Sequence, residues 1–147
     1  MKIGIASDHR GFKLKEYLKE NLKDYEIIDY GTYTEESSDY PEYGIKLAEK
    51  VSTKTVEKGI AICGSGIGIS IACNKVKGIR CAKVSTEEEA KYTRNDNDSN
   101  IVALSSKVPN EEALKIVKTF LETPFSNDER HQVRINKITK YEEEHGC

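Results

Sequence analysis

Short apolar runs alternate along the chain with longer stretches in which apolar positions recur at helical spacing. The short runs are rich in Ile and Val, which is typical of buried strands, and the longer stretches are typical of the helices that connect parallel strands. The strands are predicted over residues 2–6, 26–30, 59–63, 79–84 and 101–104. The pattern therefore predicts an α/β fold.

Six helices are predicted between and after these strands. They cover residues 13–22, 45–56, 68–75, 85–94, 110–121 and 128–144. Ser85 is the expected N-cap of the fourth helix, because it precedes an acidic first turn. The polar stretch GTYTEESSDYPEYG, residues 31–44, is a loop of unusual length and ends near Pro41. Connections of more than about a dozen residues are uncommon unless they are functional.

Length and charge limit the classes of partner. The 147 residues fit one domain over 1–147, and 23 basic residues nearly balance 25 acidic ones. No global field therefore favours nucleic acid or an anionic membrane. No apolar run approaches the length of a membrane span, and the N-terminus lacks the apolar core of a signal peptide. We expect a cytosolic (cytoplasmic) protein whose partner is a small molecule or a second copy of itself.

Cysteine and histidine usage indicates no metal site. The four cysteines, Cys63, Cys73, Cys81 and Cys147, form no C-x-x-C pair, and the chain has three histidines. This arrangement predicts neither a zinc site nor a disulfide framework. We expect the four cysteines to be free thiols.

Four polar segments are candidates for a ligand site, because ligands of open α/β sheets bind beyond the carboxyl ends of the strands. They are SDHRG at 7–11, the loop after the second strand, CGSGIG at 63–68, and NDND at 95–98.

The glycine-rich segment that begins at Cys63 matches no nucleotide-binding pattern. Ile69 stands where a dinucleotide fingerprint needs its third glycine, and the G-K-[ST] of a Walker loop is absent. Ile69 also stands where a low-molecular-weight tyrosine phosphatase would carry its arginine. What remains is a thiol before a helix start, whose free amides attract anions and favour a thiolate. Cys63 is thus either a base or nucleophile, or a buried cysteine beside a packing turn.

The other candidate residues each have a structural alternative. Asp8 and His9 can meet a ligand, or Ser7 or Asp8 can cap the next helix. Arg130 and Arg134 share a helix face and can grip one phosphate, or they can line a solvated surface.

Asp96, Asn97, Asp98 and Asn100 are a further polar group, between the fourth helix and the fifth strand. In their simplest interpretation they form a polar turn, because Asn and Asp favour turns.

Taken together, several stretches resemble the ribose-5-phosphate isomerase B family, which includes the galactose-6-phosphate isomerase subunits. The matching stretches are SDHRGFKLK at 7–15, DYGT at 29–32, DYP at 39–41, ICGSGIGISIACNK at 62–75, GIR at 78–80 and RHQVR at 130–134. The resemblance implies a Rossmann-like, three-layer α/β/α sandwich with a five-stranded parallel sheet and a C-terminal helix. It also implies aldose-ketose isomerisation of a sugar phosphate without metal or cofactor, in a homodimer or homotetramer whose active sites lie between subunits.

The same resemblance assigns roles to individual residues. Cys63 would be the base that moves a proton between C1 and C2 of the substrate. The amides of Gly64, Ser65, Gly66, Ile67 and Gly68 would hold the developing oxyanion. Asp8 and His9 would contact the sugar phosphate, and Asn97 a sugar oxygen. Arg130 and Arg134 would bind the phosphate as a clamp that the neighbouring subunit can supply.

Asp96 departs from the family pattern, in which most members have a histidine that opens the sugar ring. An ordinary aspartate is ionised at neutral pH and is a poor acid, although it can act as a base. The main expectation is interconversion of ribose and ribulose 5-phosphates. The alternatives are an isomerase of allose or galactose 6-phosphate, a sugar-phosphate-binding protein without turnover, and a redox sensor built on Cys63.

Overall fold

The computed structural model describes residues 1–146, and its centre is a sheet of five parallel strands. The strands are β1 Lys2–Ser7, β2 Glu26–Asp29, β3 Lys58–Cys63, β4 Cys81–Lys83 and β5 Ile101–Ser105. Their order across the sheet is β2-β1-β3-β5-β4, and Ile60 of β3 lies between Ile5 of β1 and Val102 of β5. The predicted parallel α/β fold is confirmed.

Six α-helices connect and follow the strands. They are α1 Phe12–Asn21, α2 Tyr40–Ser52, α3 Ile67–Cys73, α4 Glu87–Asn97, α5 Asn110–Glu122 and α6 Glu129–His145. A short 3₁₀ turn, His9–Gly11, precedes α1. The predicted start of α2 at residue 45 was wrong. Pro41 lies in the first turn of this helix, where its fixed φ is compatible with a helix and its missing N–H costs nothing.

Both ends of α4 differ from the prediction. Thr86, rather than Ser85, is the N-cap, because its Oγ1 accepts a hydrogen bond from the Glu89 amide at 3.1 Å. The Glu89 carboxylate in turn accepts from the Ser85 amide at 2.7 Å. At the other end, Asp96 and Asn97 lie in the last turn of the helix and not in a polar turn after it.

The sheet is covered on both faces, as the three-layer prediction requires. Helices α1, α4 and α5 pack on one face, and α2 and α3 pack on the other. Successive strand residues point to opposite faces, so Ile60 and Ile62 enter the first core while Ala61 and Cys63 enter the second. Cys63 is thereby fixed at the end of a central strand, with its side chain on the face that α3 covers.

Helix α6 lies outside these layers and contacts α4. Of its predicted apolar face only Ile135 is buried, whereas Val133, Ile138 and Tyr141 are 46%, 58% and 66% exposed. This face therefore remains open on the surface of the chain.

Candidate active site

A cavity of about 520 Å³ opens at the carboxyl edge of the sheet, where the prediction placed a ligand. It collects the segments that follow β1, β2 and β3, together with Lys107 after β5. Its lining residues are Asp8, His9, Arg10, Ser38, Asp39, Tyr40, Cys63, Gly64, Ser65, Ile67, Gly68 and Lys107.

Cys63 lines this cavity with a thiol that is almost fully buried. The residue is 4% exposed, and its Sγ accepts a hydrogen bond from the Gly66 amide at 3.2 Å. The sequence predicted that Cys63 is either a base or nucleophile, or a buried packing residue. In the structure Cys63 is buried and also lines the cavity.

The amides of the glycine-rich loop are not all equivalent. Gly66 donates to Cys63, and Ile67 donates to Ser65 Oγ at 3.1 Å. Of the five amides in the predicted oxyanion site, those of Gly64, Ser65 and Gly68 are the remaining donors. Any role of the Ile67 amide toward a ligand first requires its bond to Ser65 to break.

Two glycines of this loop are required by close contacts. Gly66 has φ +77°, and a Cβ there would lie 2.7 Å from the backbone carbon of Leu104. A Cβ on Gly68 would lie 2.5 Å from Tyr40, because that ring packs on the start of α3. The loop therefore runs between β5 and Tyr40 with no room for a side chain at either of these two positions.

Asp8 caps the short 3₁₀ turn that follows β1, which is one of the two roles predicted for it. Its Oδ1 accepts from the amides of Arg10 at 3.0 Å and Gly11 at 3.1 Å, and it is 5% exposed. The carboxylate is thus held rigidly at the cavity wall. Contact with a sugar stays a prediction.

His9 is held by the long loop after β2. Its Nδ1 accepts from the Ser38 amide at 3.1 Å, and its own amide donates to Ser38 Oγ at 3.2 Å. Nδ1 also lies 3.2 Å from the Ser38 carbonyl oxygen, so Ser38 faces this side of the ring with both a donor and an acceptor and fixes its orientation. Nε2 lies on the other side of the ring.

Asp96, Asn97 and Arg134 line a different, smaller cavity of about 140 Å³. The others in its wall are Arg80, His131, Ile135 and Ile138. Asp96 Oδ1 lies 3.4 Å from His131 Nε2 and accepts from Asn95 Nδ2 at 2.8 Å.

The arginine pair occupies one helix, α6, as predicted, but the two side chains have different surroundings. The Arg130 side chain is exposed and lies 3.6 Å from the Asp128 carboxylate, whereas Arg134 lines the smaller cavity.

The expectation that residues 95–98 lie at the carboxyl edge was wrong. A helix that crosses between parallel strands runs opposite to them, so α4 ends at the amino edge. Asn100 confirms this position, because its carbonyl accepts from the Gly59 amide at the start of β3. The two groups of predicted site residues are separated by the length of a strand, roughly 17 Å for the five residues of β5. One chain does not bring them together.

Several residues of the larger cavity were missed by the sequence analysis. Arg10 packs its side chain against Gly64, and Lys107 follows β5 at the rim. Ser105 Oγ donates to the Gly64 carbonyl at 2.7 Å and accepts from the Lys107 amide at 3.1 Å, which braces the glycine-rich loop. Arg10 belongs to the candidate segment 7–11 but had no role assigned, and Ser105 and Lys107 lie within three residues of the end of the predicted strand 101–104.

The other cysteines that the structure describes are buried in the core beside α3. Cys73 Sγ donates to the Gly44 carbonyl at 3.3 Å, and a hydrogen bond to Cys73, together with burial, raises the pKa of Cys81. Cys63, Cys73 and Cys81 are free thiols, as expected, and Cys147 lies outside the described residues.

Over residues 1–146 we find no helix with the length and apolar character that crossing a membrane requires. The cytosolic location stays a prediction.

Known proteins share both the sequence and the fold of this chain. A family model described as Ribose/Galactose Isomerase matches residues 3–138. The ribose-5-phosphate isomerase B of Escherichia coli is 41% identical over 97% of each chain. The solved ribose-5-phosphate isomerase B of Clostridium thermocellum matches with a TM-score of 0.95 and 47% identity, over 98% of this chain and 99% of that one. The Mycoplasma genitalium enzyme of that name, solved with bound ribulose 5-phosphate, gives a TM-score of 0.92 and 40% identity over 97% of each chain.

Proposed function

The chain belongs to the ribose/galactose isomerase family, and we propose that it interconverts ribose 5-phosphate and ribulose 5-phosphate through an enediolate. The observation that carries this proposal is the Cys63 thiol, which lies on the wall of the large cavity and accepts an amide hydrogen bond. The relatives in E. coli and M. genitalium support the five-carbon substrate, since both are named for it and one binds ribulose 5-phosphate. Nothing in them favours the six-carbon or the binding-only alternative.

In the proposed reaction Cys63 is the base. Its thiolate takes the proton from C2 of the open aldose, a proton moves from the C2 hydroxyl to the O1 oxyanion, and the thiol returns its proton to C1, so that the ketose forms with no net change in protons. Negative charge develops on the sugar oxygens during this transfer, and the free amides of Gly64, Ser65 and Gly68 are aligned to receive it. His9 and Asp8 hold the substrate at the rim. The reaction needs no metal or cofactor.

The active site in this proposal is completed by a second copy of the chain. Asn97, Asp96, Arg130 and Arg134 belong to the amino edge, so the partner copy supplies them to the Cys63 cavity. Exposed apolar side chains support such an association, since Ile67 and Ile71 on α3 are 56% and 57% exposed. The open face of α6 supports it in the same way. A homodimer satisfies this requirement, and a homotetramer would repeat it.

Turnover tests the activity directly. We expect the purified protein to convert ribose 5-phosphate with a higher kcat/KM than allose or galactose 6-phosphate, measured side by side in coupled assays. The Cys63→Ser variant is the matched control, because it removes the thiol and keeps the fold. Folded wild-type protein that converts none of these sugars would refute the proposed function.

Mixing two impaired variants tests the shared site, at a ribose 5-phosphate concentration far below KM, where the loss of Arg134 lowers the rate about tenfold or more. In a heterodimer of Cys63→Ser and Arg134→Ala, one site carries both changes and the other carries neither. After subunit exchange at equal concentrations we therefore expect about one quarter of wild-type activity. Labelled subunits show whether exchange has occurred. If it has, and the activity of the mixture still equals the summed activities of the two variants, both groups serve a site within one chain.

A further inference from the structure

The contact between Asp96 and His131 is the one pairing of a histidine with a carboxylate within 4.0 Å in residues 1–146. His131 lies in the first turns of α6 and Asp96 in the last turn of α4. Their side chains are 13% and 38% exposed, so the pair is shielded but reachable from the small cavity. Asp96 thus carries the carboxylate that faces the imidazole, and Asn95 Nδ2 donates to the same oxygen, Oδ1, at 2.8 Å.

Neither of the other histidines offers the same arrangement. The Nδ1 of His9 is engaged with Ser38. His145 stacks on Tyr141, with ring centroids 4.3 Å apart, in the last turn of α6. His131 alone combines a carboxylate partner with a place on a cavity wall that also contains Asn97 and Arg134.

We propose that His131, oriented by Asp96, is the acid and base that opens the furanose ring of the substrate before Cys63 acts. This inference rests on the proposed function, because the pair reaches the substrate from the partner copy. It assigns His131 a catalytic role and Asp96 a positioning role. Imidazole suits this task because it exchanges protons near neutral pH, which an ionised aspartate does not do as an acid.

The contact orients the ring. Asp96 Oδ1 lies beside Nε2, so Nδ1, on the other side of the ring, is the nitrogen left to face the substrate. The contact of 3.4 Å is long for a hydrogen bond, and such contacts often shorten when substrate binds.

The chemical step balances without any other reactant. The His131 imidazole takes the proton of the anomeric hydroxyl, and the electrons of that O–H bond form the carbonyl at C1. The bond between C1 and the ring oxygen breaks, and its electron pair stays on that oxygen. The imidazolium then returns the proton to the ring oxygen, which gives the open aldose and the neutral imidazole.

The experiment separates ring opening from proton transfer. Ribulose 5-phosphate has no ring to open, because its C5 oxygen carries the phosphate. Exchange of its C1 hydrogen with D₂O, followed by NMR, therefore requires Cys63 but not ring opening. For His131→Asn we expect turnover of ribose 5-phosphate to fall about 100-fold. Hydrogen exchange at C1 and the Kd for the acyclic ribitol 5-phosphate should each stay within about threefold of wild type.

Two further variants complete the test. Asp96→Asn should lower the same turnover by a smaller factor and also leave exchange intact, since it removes only the orienting group. His145→Asn is the control, because it removes an exposed imidazole from the same helix and should change nothing.

The inference is overturned if His131→Asn keeps its turnover, or if exchange and ribitol 5-phosphate affinity fall together with turnover. It is also overturned if Asp96→Asn loses ring opening and His131→Asn does not. Wild-type protein that shows neither turnover nor exchange would instead refute the proposed function.

Discussion

Gly66 offers the sharpest test of how the thiol is supported. We expect Gly66→Ala to destabilise the fold for two separate reasons. An L-residue at φ +77° costs about 1–2 kcal/mol. The new Cβ would also lie 2.7 Å from the Leu104 backbone carbon and 2.9 Å from the Ser105 nitrogen, which are strand atoms that cannot move alone. Overpacking of this kind costs about 1–3 kcal/mol, so the total is about 2–5 kcal/mol.

The same substitution should reduce activity, because Gly66 donates the hydrogen bond to Cys63 Sγ. Displacing this amide together with the loop shifts the base relative to the substrate, and a misplacement near 1 Å can cost roughly 100-fold in rate. The unfolding free energy is measured by urea denaturation with circular dichroism, and kcat is measured by the coupled assay.

Gly78→Ala is the matched control for backbone strain. Gly78 has φ +85°, but a Cβ there would meet nothing nearer than Ser52 Oγ at 3.6 Å. This variant should therefore show the left-handed cost alone, about 1–2 kcal/mol, and keep its kcat. The reasoning is refuted if the two variants lose equal stability, or if Gly66→Ala retains the turnover of wild type.

Three other substitutions probe the base, the phosphate contact and a buried ion pair. Cys63→Ser should lower kcat by at least about 100-fold with an unchanged Tm, because a hydroxyl is a far weaker base than a thiolate. Arg134→Ala should raise KM for the sugar phosphate about tenfold or more and change kcat less, since it removes a charge-assisted hydrogen bond. Asp29→Asn should lower the unfolding free energy by about 1–3 kcal/mol, because it removes the nearer of the two carboxylates that face the fully buried Lys15 and leaves only Glu16. Burial raises the pKa of Asp29, but hydrogen bonds from Lys15 and Lys19 outweigh it, so the folded-state pKa lies below the ordinary 3.8. Ionised Asp29 therefore stabilises the fold above pH 3.8, and this stabilisation is lost as the pH falls through the lowered pKa. Urea denaturation at pH values from 6 to 2 should show this loss of unfolding free energy for the wild type and not for Asp29→Asn.

The elements of the fold could be predicted because their signals are local. A strand such as β3 is a run of apolar residues, and a helix such as α5 repeats apolar positions at helical spacing, so both can be identified without tertiary information. The ends of elements depend on particular bonds. Ser85 was predicted to cap α4, and only the bond from the Glu89 amide to Thr86 Oγ1 shows that the cap is the next residue.

The site was harder to predict because it depends on which edge of the sheet each segment reaches. Cys63 is the last residue of a strand, so its place at the carboxyl edge follows from the sequence. Residues 95–98 lie at the end of a helix, and the direction of that helix assigns them to the amino edge, although their composition resembles that of a ligand loop. The contact between Asp96 and His131 joins segments 35 positions apart and had no sequence signal.

Side chains that bond to backbone groups give both halves of the site a fixed shape. Arg80 donates from Nε to the Asn97 carbonyl at 2.9 Å and from its guanidinium to the Asp98 carbonyl at 3.0 Å. These carbonyls end α4 and would otherwise lack partners, so Arg80 holds the turn that carries Asp96. Ser105 has the same function for the glycine-rich loop through the Gly64 carbonyl. Because donors that are fixed before the reaction stabilise developing charge without reorganisation, the rigidity of these turns is itself part of the chemistry proposed for them.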